Sequence, residues 1–481
     1  MIMPVRSFAD LMPLLPELVV ILGAFALLML DLFLDERRRF ITHAAAIAVL
    51  AVATALIAFG VGGHGSVLNG MFVRDTAADV MKIAIGVVGI LSMVYTWSYL
   101  RERGLYKGEV AVLMLFATAG MMLLVSAGSL VMVYLGLEML ALCSYALVAI
   151  DRDSPVASEA AIKYFVLGAL ASGLLLYGMS LVYGATGSLD LTQIAAVVKT
   201  SPSSLMLVTG VIFMVAGIAF KFGAAPFHMW LPDVYSGAPT AITIFIGAAP
   251  SLASFGMAYR LLEVAAGPLD DRWRILLAVI AALSLAIGNL SAMVQTSLKR
   301  LLAYSTVSHV GFLFLGLAGG GAQGFSAAMF YSINYAVTTA AAFGAIVVLS
   351  SRGFEADQID DYKGLNARNP WLAGLILCVM ASLAGVPPFL GFWAKLAVLR
   401  AALQGDMLWL ALVGVVFAVV GAFYYLRVIK AMYFDEPDGQ MPVVREDRPL
   451  RIVFGVNALA LLALGFAWNP IMVWCQRAFA G

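Results

Sequence analysis

Charge is what this sequence has least of. Only 12% of its 481 residues are Asp, Glu, Lys or Arg, against about 25% in a soluble domain. A shortage of that size over so long a chain excludes an ordinary globular enzyme. Intrinsic disorder is excluded as well, because it requires low hydrophobicity and high net charge, and the formal net charge is +1. No basic excess points to nucleic acid or to a charged membrane surface. Cysteine is scarce: Cys143, Cys378 and Cys475 stand far apart and form no C-x-x-C. That argues against a disulfide framework, a zinc site or an iron–sulfur cluster, and the three read as small buried residues. The four histidines include no pair at i, i+4 spacing, so no metal site is expected. No G-x-G-x-x-G follows a strand and there is no P-loop, so no nucleotide site is expected either. Met1 to Pro16 lack a basic stretch followed by a small-residue cleavage site, so the first apolar run is expected to stay in the product.

What the chain has in abundance is apolar sequence: 63% hydrophobic residues, 45 glycines and a mean hydropathy of +0.97. At about 20 residues per membrane helix, the apolar runs make about fourteen spans. They fall near 14–34, 40–60, 77–100, 108–127, 130–150, 159–183 and 205–230, then near 239–265, 274–295, 300–317, 323–349, 371–402, 407–434 and 452–475. The runs are continuous rather than alternating, which excludes a closed barrel. The fold class is therefore an all-α polytopic membrane protein. Lys and Arg collect after the odd-numbered spans, as in Arg37, Arg38 and Arg39, in Arg101, Arg103 and Lys107, and near span 13 with Arg427 and Arg445; the count is seventeen against eight on the opposite side, which includes Arg6. The richer side is read as cytoplasmic, and an even number of spans puts both termini outside.

Four lysines, Lys82, Lys163, Lys221 and Lys395, fall inside apolar runs, as does Glu138. A charge near the bilayer centre costs about 2.5–3.5 kcal/mol on the gentlest scale, and such residues persist where they face the protein interior, pair, or carry protons and ions. Lys82 and Lys163 sit near span starts, where snorkelling toward the headgroups competes; for Lys82 snorkelling is the stronger reading. Lys221, Lys395 and Glu138 have apolar residues on both sides and a helix break nearby. Burial disfavours a charged amine and a nearby carboxylate favours it, so a Glu–Lys pair in a dry interior acts as a protonation switch.

The breaks repeat. Span 7 is interrupted at Ala225-Pro226-Phe227 and span 12 at Pro387-Pro388-Phe389, each followed by a tryptophan, Trp230 or Trp393, and each with a lysine close by. Proline removes a donor and frees a carbonyl, and in a membrane such gaps survive only where they line a cavity. If spans 4–8 and 9–13 form two five-helix units, both breaks fall on the fourth helix of a unit. An odd helix count inverts the second copy, and inverted repeats with broken helices mark ion-transporting folds. The expected divisions are 1–107 for spans 1–3, 108–265 and 266–434 for the two units, and 435–481 for the last span. His228, beside the first break, is a candidate link from Lys221 to the cytoplasmic face, with a structural hydrogen bond as the alternative. His309, in a polar strip beginning at Tyr304, is a candidate bridge toward Lys395.

The run from Phe220-Lys-Phe-Gly-Ala-Ala-Pro-Phe-His-Met-Trp230 to Thr240 resembles the signature of the antiporter-like membrane subunits of respiratory complex I. Gly136-Leu-Glu-Met139, Gln295-Thr-Ser-Leu-Lys-Arg-Leu-Leu-Ala-Tyr304 and Val386-Pro-Pro-Phe-Leu-Gly-Phe-Trp-Ala-Lys395 complete it. Ala160-Ala-Ile-Lys-Tyr-Phe-Val-Leu-Gly-Ala-Leu-Ala-Ser-Gly173 looks like the form found in the bacterial subunit N family. The resemblance covers nearly the whole chain. It implies fourteen helices with two inverted five-helix bundles, in an inner-membrane complex whose peripheral arm oxidises NADH through FMN and iron–sulfur clusters and reduces quinone, all on other subunits. The cofactors of the redox reaction would then lie elsewhere, and the partners would be the other membrane subunits, that arm and the lipid bilayer. It also implies that Glu138, Lys163, Lys221 and Lys395 match the family's proton-relay positions. One position departs: where the family usually has a lysine after Ala-Pro in span 8, Ala249-Pro250 is followed by Ser251, which orders water but holds no proton as an amine does. A cation/proton antiporter subunit without a redox partner shares the broken-helix motif and is the second reading; a purely structural subunit is the third.

Overall fold

The computed structural model describes residues 8–202, 204–437 and 447–480; Arg6 and Arg445, both counted for orientation, lie outside them. In chain order the helices are α1 (Leu15–Asp31), α2 (Phe40–Ala58), α3 (Thr76–Glu102), α4 (Gly108–Val125), α5 (Leu130–Val148), α6 (Pro155–Thr186), α7 (Leu191–Thr200), α8 (Leu205–Phe222), α9 (Trp230–Gly237) and α10 (Thr240–Ala258). There follow α11 (Asp270–Met293), α12 (Leu298–Gly319), α13 (Gly321–Leu349), α14 (Leu365–Arg368), α15 (Pro370–Ala384), α16 (Leu390–Gln404), α17 (Leu408–Phe434), α18 (Arg448–Phe466) and α19 (Trp468–Arg477). Among the described residues, 13 helices are long and apolar enough to cross a membrane unbroken. The remaining expected span, span 12, is present as two 15-residue halves, α15 and α16, flanking the Pro387-Pro388 break.

Polar residues punctuate the apolar runs. Ser129 caps α5 by accepting from the Met132 amide, Ser154 caps α6 ahead of Pro155, and Ser297 caps α12, each satisfying an amide that the first turn leaves without a partner. Both broken helices stop in the same way. α8 ends on Gly223 at φ 77° and α15 on Gly385 at φ 84°, the left-handed conformation glycine adopts without a Cβ penalty.

The helices approach closely where glycine allows it. A Cβ on Gly120 of α4 would lie 2.8 Å from the Gly136 carbonyl of α5, and one on Gly136 would lie 2.8 Å from the Gly120 carbonyl. Small residues at such crossings let helices pack in lipid, where apolar burial alone gives no drive to associate. α10, α12 and α13 are almost wholly buried, whereas α1, α2, α17 and α18 turn most of their surface outward. Most side chains on α10, α12 and α13 are thereby enclosed by protein.

Five features differ from the sequence-based expectation. Span 14 does not continue to 475: α18 stops at Phe466 and a separate helix, α19, follows Ala467. α10 passes into a wider π turn at Tyr259–Ala265. The loop after α2 forms a hairpin of β1 (Gly65–Val67) and β2 (Phe72–Arg74), antiparallel with Ser66 opposite Val73. The loop after α6 carries α7, an amphipathic helix capped by Asp190. Lys82 does not snorkel. Its side chain is fully buried and meets Glu17 at 2.5 Å, because α1 places a carboxylate within its reach.

Candidate functional site

The break after α8 is satisfied from two directions. The Trp230 indole donates to the Phe220 carbonyl at 3.1 Å, and the Ala225 amide donates to Ser284 Oγ of α11 at 2.9 Å. Trp230 stacks on Tyr164 of α6 at 4.7 Å between ring centroids. A carbonyl freed at α8 thus finds a donor and an amide of the break finds an acceptor without closing the helix, and the space beside them stays open. A cavity there is lined by Lys221, Tyr164, Trp230, Ser251, Thr306, His309 and Tyr335 among others, with room of about 30 Å³ for water-sized spheres, enough for one or two waters. Lys221, the next-to-last residue of α8, faces this cavity. Ser251 faces it from α10, its hydroxyl donating back to the Ala248 carbonyl at 2.7 Å.

Glu138 lies on α5, half-buried, one carboxylate oxygen shielded from solvent. It is close enough to Lys221 to act on it electrostatically, yet among the described ion pairs none joins the two. The two are near but not in contact, so a helix movement that changes their separation changes the interaction.

On the far side of the cavity His309 is buried on α12, its Nδ1 2.6 Å from the Tyr331 hydroxyl and its Nε2 3.1 Å from that of Tyr425. Tyr425 makes a further hydrogen bond to Ser305, and Tyr335 donates to Thr306 Oγ1 at 2.8 Å. Asn289 Nδ2 donates to Ser308 Oγ at 2.8 Å and Oδ1 accepts from Tyr424 at 3.1 Å. The sequence shows the α12 strip but not its partners, since Tyr331, Tyr335, Tyr424 and Tyr425 come from two other helices; tyrosines inside apolar runs are the signal that was available.

Lys395 lies beyond that network on α16. Its Nζ donates to the Leu383 and Ala384 carbonyls, both at 2.9 Å, and so satisfies the groups freed at the second break. It sits 5.1 Å from the centre of the Phe312 ring, and Phe312 is three residues from His309 on the same face of α12. Gly385 leaves the space for it, since a Cβ there would lie 2.9 Å from Lys395 Cδ. His309 is within electrostatic reach of Lys395.

Two candidates sit apart from this line. Lys163 pairs with Glu159 at 2.8 Å and with Asp233 at 2.7 Å, its side chain 41% exposed, and it does not line the cavity. His228 is half-buried beside Tyr304, 6.4 Å between ring centroids, at the opening of the first break. The structure therefore brings Lys221, Ser251 and His309 to one cavity, sets Glu138 and Lys395 on its two sides, and leaves Lys163 in a peripheral ion-pair cluster.

Comparison with known proteins agrees with this architecture. Residues 127–421 match the family described as NADH:quinone oxidoreductase/Mrp antiporter, TM. The chain is 68% identical over 473 residues to NADH-quinone oxidoreductase subunit N of Xanthomonas euvesicatoria pv. vesicatoria, covering 98% of this chain and 97% of that one. Its fold superposes on a chain of respiratory complex I from Thermus thermophilus with bound aureothin at a TM-score of 0.81, with 31% identity, 95% of this chain and 98% of that one. A chain of the Mrp complex from Dietzia sp. DQ12-45-1b shares the fold at a TM-score of 0.85 with 22% identity, over 99% of this chain and 97% of that one.

Proposed function

The chain belongs to the subunit N family of NADH-quinone oxidoreductase, an antiporter-like membrane subunit, and from that premise we propose that it carries protons through Glu138, Lys221, His309 and Lys395. The observation that carries the reading is the cavity shared by Lys221, Ser251 and His309. A conformational change elsewhere in the complex, driven by NADH oxidation and quinone reduction, alters the separation of Glu138 and Lys221. With Glu138 close, the Lys221 ammonium is held; with Glu138 withdrawn, desolvation favours the neutral amine and the proton passes into the cavity. Ser251 orders water where the family usually has lysine, and His309 accepts and passes the proton along the Tyr331 and Tyr425 hydroxyls. Lys395, beyond His309, is the terminal carrier toward the periplasm.

FMN, iron–sulfur clusters and quinone belong on other subunits in this reading, and this chain supplies only proton-conducting groups. Its neighbours are other membrane subunits and, through them, the peripheral NADH-oxidising arm. Residues 108–265 and 266–434 form the two five-helix units, in a bacterial inner membrane with both termini periplasmic. Lys163 of α6, held by Glu159 and Asp233, is a further relay position at the edge of the first unit, and His228 links Lys221 to the cytoplasmic face.

The test of the assignment is gentle detergent purification through a tag on this chain. FMN, iron–sulfur absorbance and NADH-driven quinone reduction are expected to follow the tag. Recovery with membrane partners alone, from a preparation in which the rest is intact, would favour the antiporter reading.

A further inference from the structure

Outside the two five-helix units the protein holds another Glu–Lys pair within the membrane. Glu17 of α1 and Lys82 of α3 meet at 2.5 Å with both side chains fully buried, and the ammonium lies 4.8 Å from the centre of the Phe72 ring. Stability is a poor explanation for such a pair, because desolvating both charges offsets their attraction and apolar residues of similar volume often serve as well. Intramembrane ionisable residues are by default functional, and the relay from Glu138 to Lys395 makes no use of these two.

The pair has a polar approach from the surface. Asp79 lies three residues before Lys82, on the same face of α3 and one turn nearer the helix start. Its carboxylate accepts from Arg74 Nε at 2.8 Å and Nη2 at 3.2 Å, and it lies 3.2 Å from Nε2 of His64, whose side chain is 55% exposed. Arg74 also donates to the Val61 carbonyl at 2.6 Å, which fixes the hairpin over the pair, and its charge reaches Glu17. Asp75 and Arg260, also at this end, are paired with each other at 2.7 Å, and the Asp190 carboxylate, which caps α7, lies beside Gly70 of the hairpin turn. Asp79 and Lys82 thus descend along one face of α3, with His64 of the preceding loop against Asp79 and Glu17 of α1 against Lys82. That helix packs along α10, which carries Ser251.

We propose that Glu17 and Lys82 form a proton-exchanging site, loaded from the surface through His64 and Asp79 and separate from the line between Lys221 and Lys395. Loading adds one proton to the Glu17 carboxylate, giving a carboxylic acid beside the Lys82 ammonium and taking the pair from net zero to +1. Unloading returns that proton by the same route and restores the ion pair.

Infrared difference spectroscopy of the purified complex during an external pH titration tests this, with Glu17→Gln as the reference. The wild type is expected to show a carboxylic-acid band that grows as pH falls, shifts in D2O and is lost in the variant. Where Glu17→Gln alone leaves Lys82 unpaired and fails to assemble, the Glu17→Gln/Lys82→Met double variant removes both charges and serves as the reference. Superimposable spectra of wild type and reference across the titration would overturn the proposal and leave the pair as a fixed tie between α1 and α3. The measurement needs no proton pumping, so its outcome is independent of the relay.

Discussion

Replacing Lys221 by Ala is expected to leave the complex assembled and oxidising NADH while proton transfer through this subunit slows by about 10²-fold or more, the size of contribution a positioned acid–base group typically makes. Assembly survives because α8 is ended by Gly223 and the Trp230 indole rather than by the lysine, and among the described hydrogen bonds none runs to Lys221. What disappears is the one titratable amine among the cavity's described lining residues. Lys221→Arg is expected to fail as well: a guanidinium keeps the positive charge opposite Glu138 but does not release its proton. Reconstitution in liposomes, with proton uptake counted per NADH oxidised, reads both variants. A wild-type ratio in Lys221→Ala would remove the lysine from the route.

The second large effect is expected at His309, in two forms that separate stability from transfer. His309→Leu removes two hydrogen bonds at once and leaves the Tyr331 hydroxyl, 2.6 Å from the ring in the native protein, without that partner. A buried unsatisfied hydroxyl costs about 1–3 kcal/mol, so this variant assembles in lower yield and also translocates fewer protons. His309→Gln keeps an amide to bond the tyrosines but carries no exchangeable charge near neutral pH. It is expected to assemble like the wild type and still lose transfer between the cavity and Lys395. Equal proton counts in His309→Gln and wild type would show that the ring is only a hydrogen-bonding strut.

Much of this architecture is legible in the residues because the bilayer constrains the chain so strictly. Continuous apolar runs mark the spans, and Pro226 and Pro387-Pro388 mark both breaks, since proline cannot donate to the helix that contains it. Glu138, Lys221 and Lys395 stand out for the cost of burying charge. The parts that were not legible depend on contacts between distant segments. Lys82 reads as a snorkelling residue because nothing in its own run reveals Glu17, two helices away. The tyrosines around His309 come from α13 and α17, so the α12 strip showed one side of a network. α7 and the hairpin lie in loops whose apolar content is too low to register as spans, whereas the stop at Phe466 does have a local signal, since hydrophobicity falls after it and Pro470 follows.

The relay is tested most directly from its two ends at once. Glu138→Gln and Lys395→Gln, combined in the complex and reconstituted in liposomes, remove the proposed modulator of Lys221 and the proposed terminal carrier while keeping polar side chains at both positions. The account predicts NADH oxidation with fewer protons translocated per NADH than in the wild type. A wild-type ratio in that double variant would contradict it and make this chain a structural part of the membrane arm.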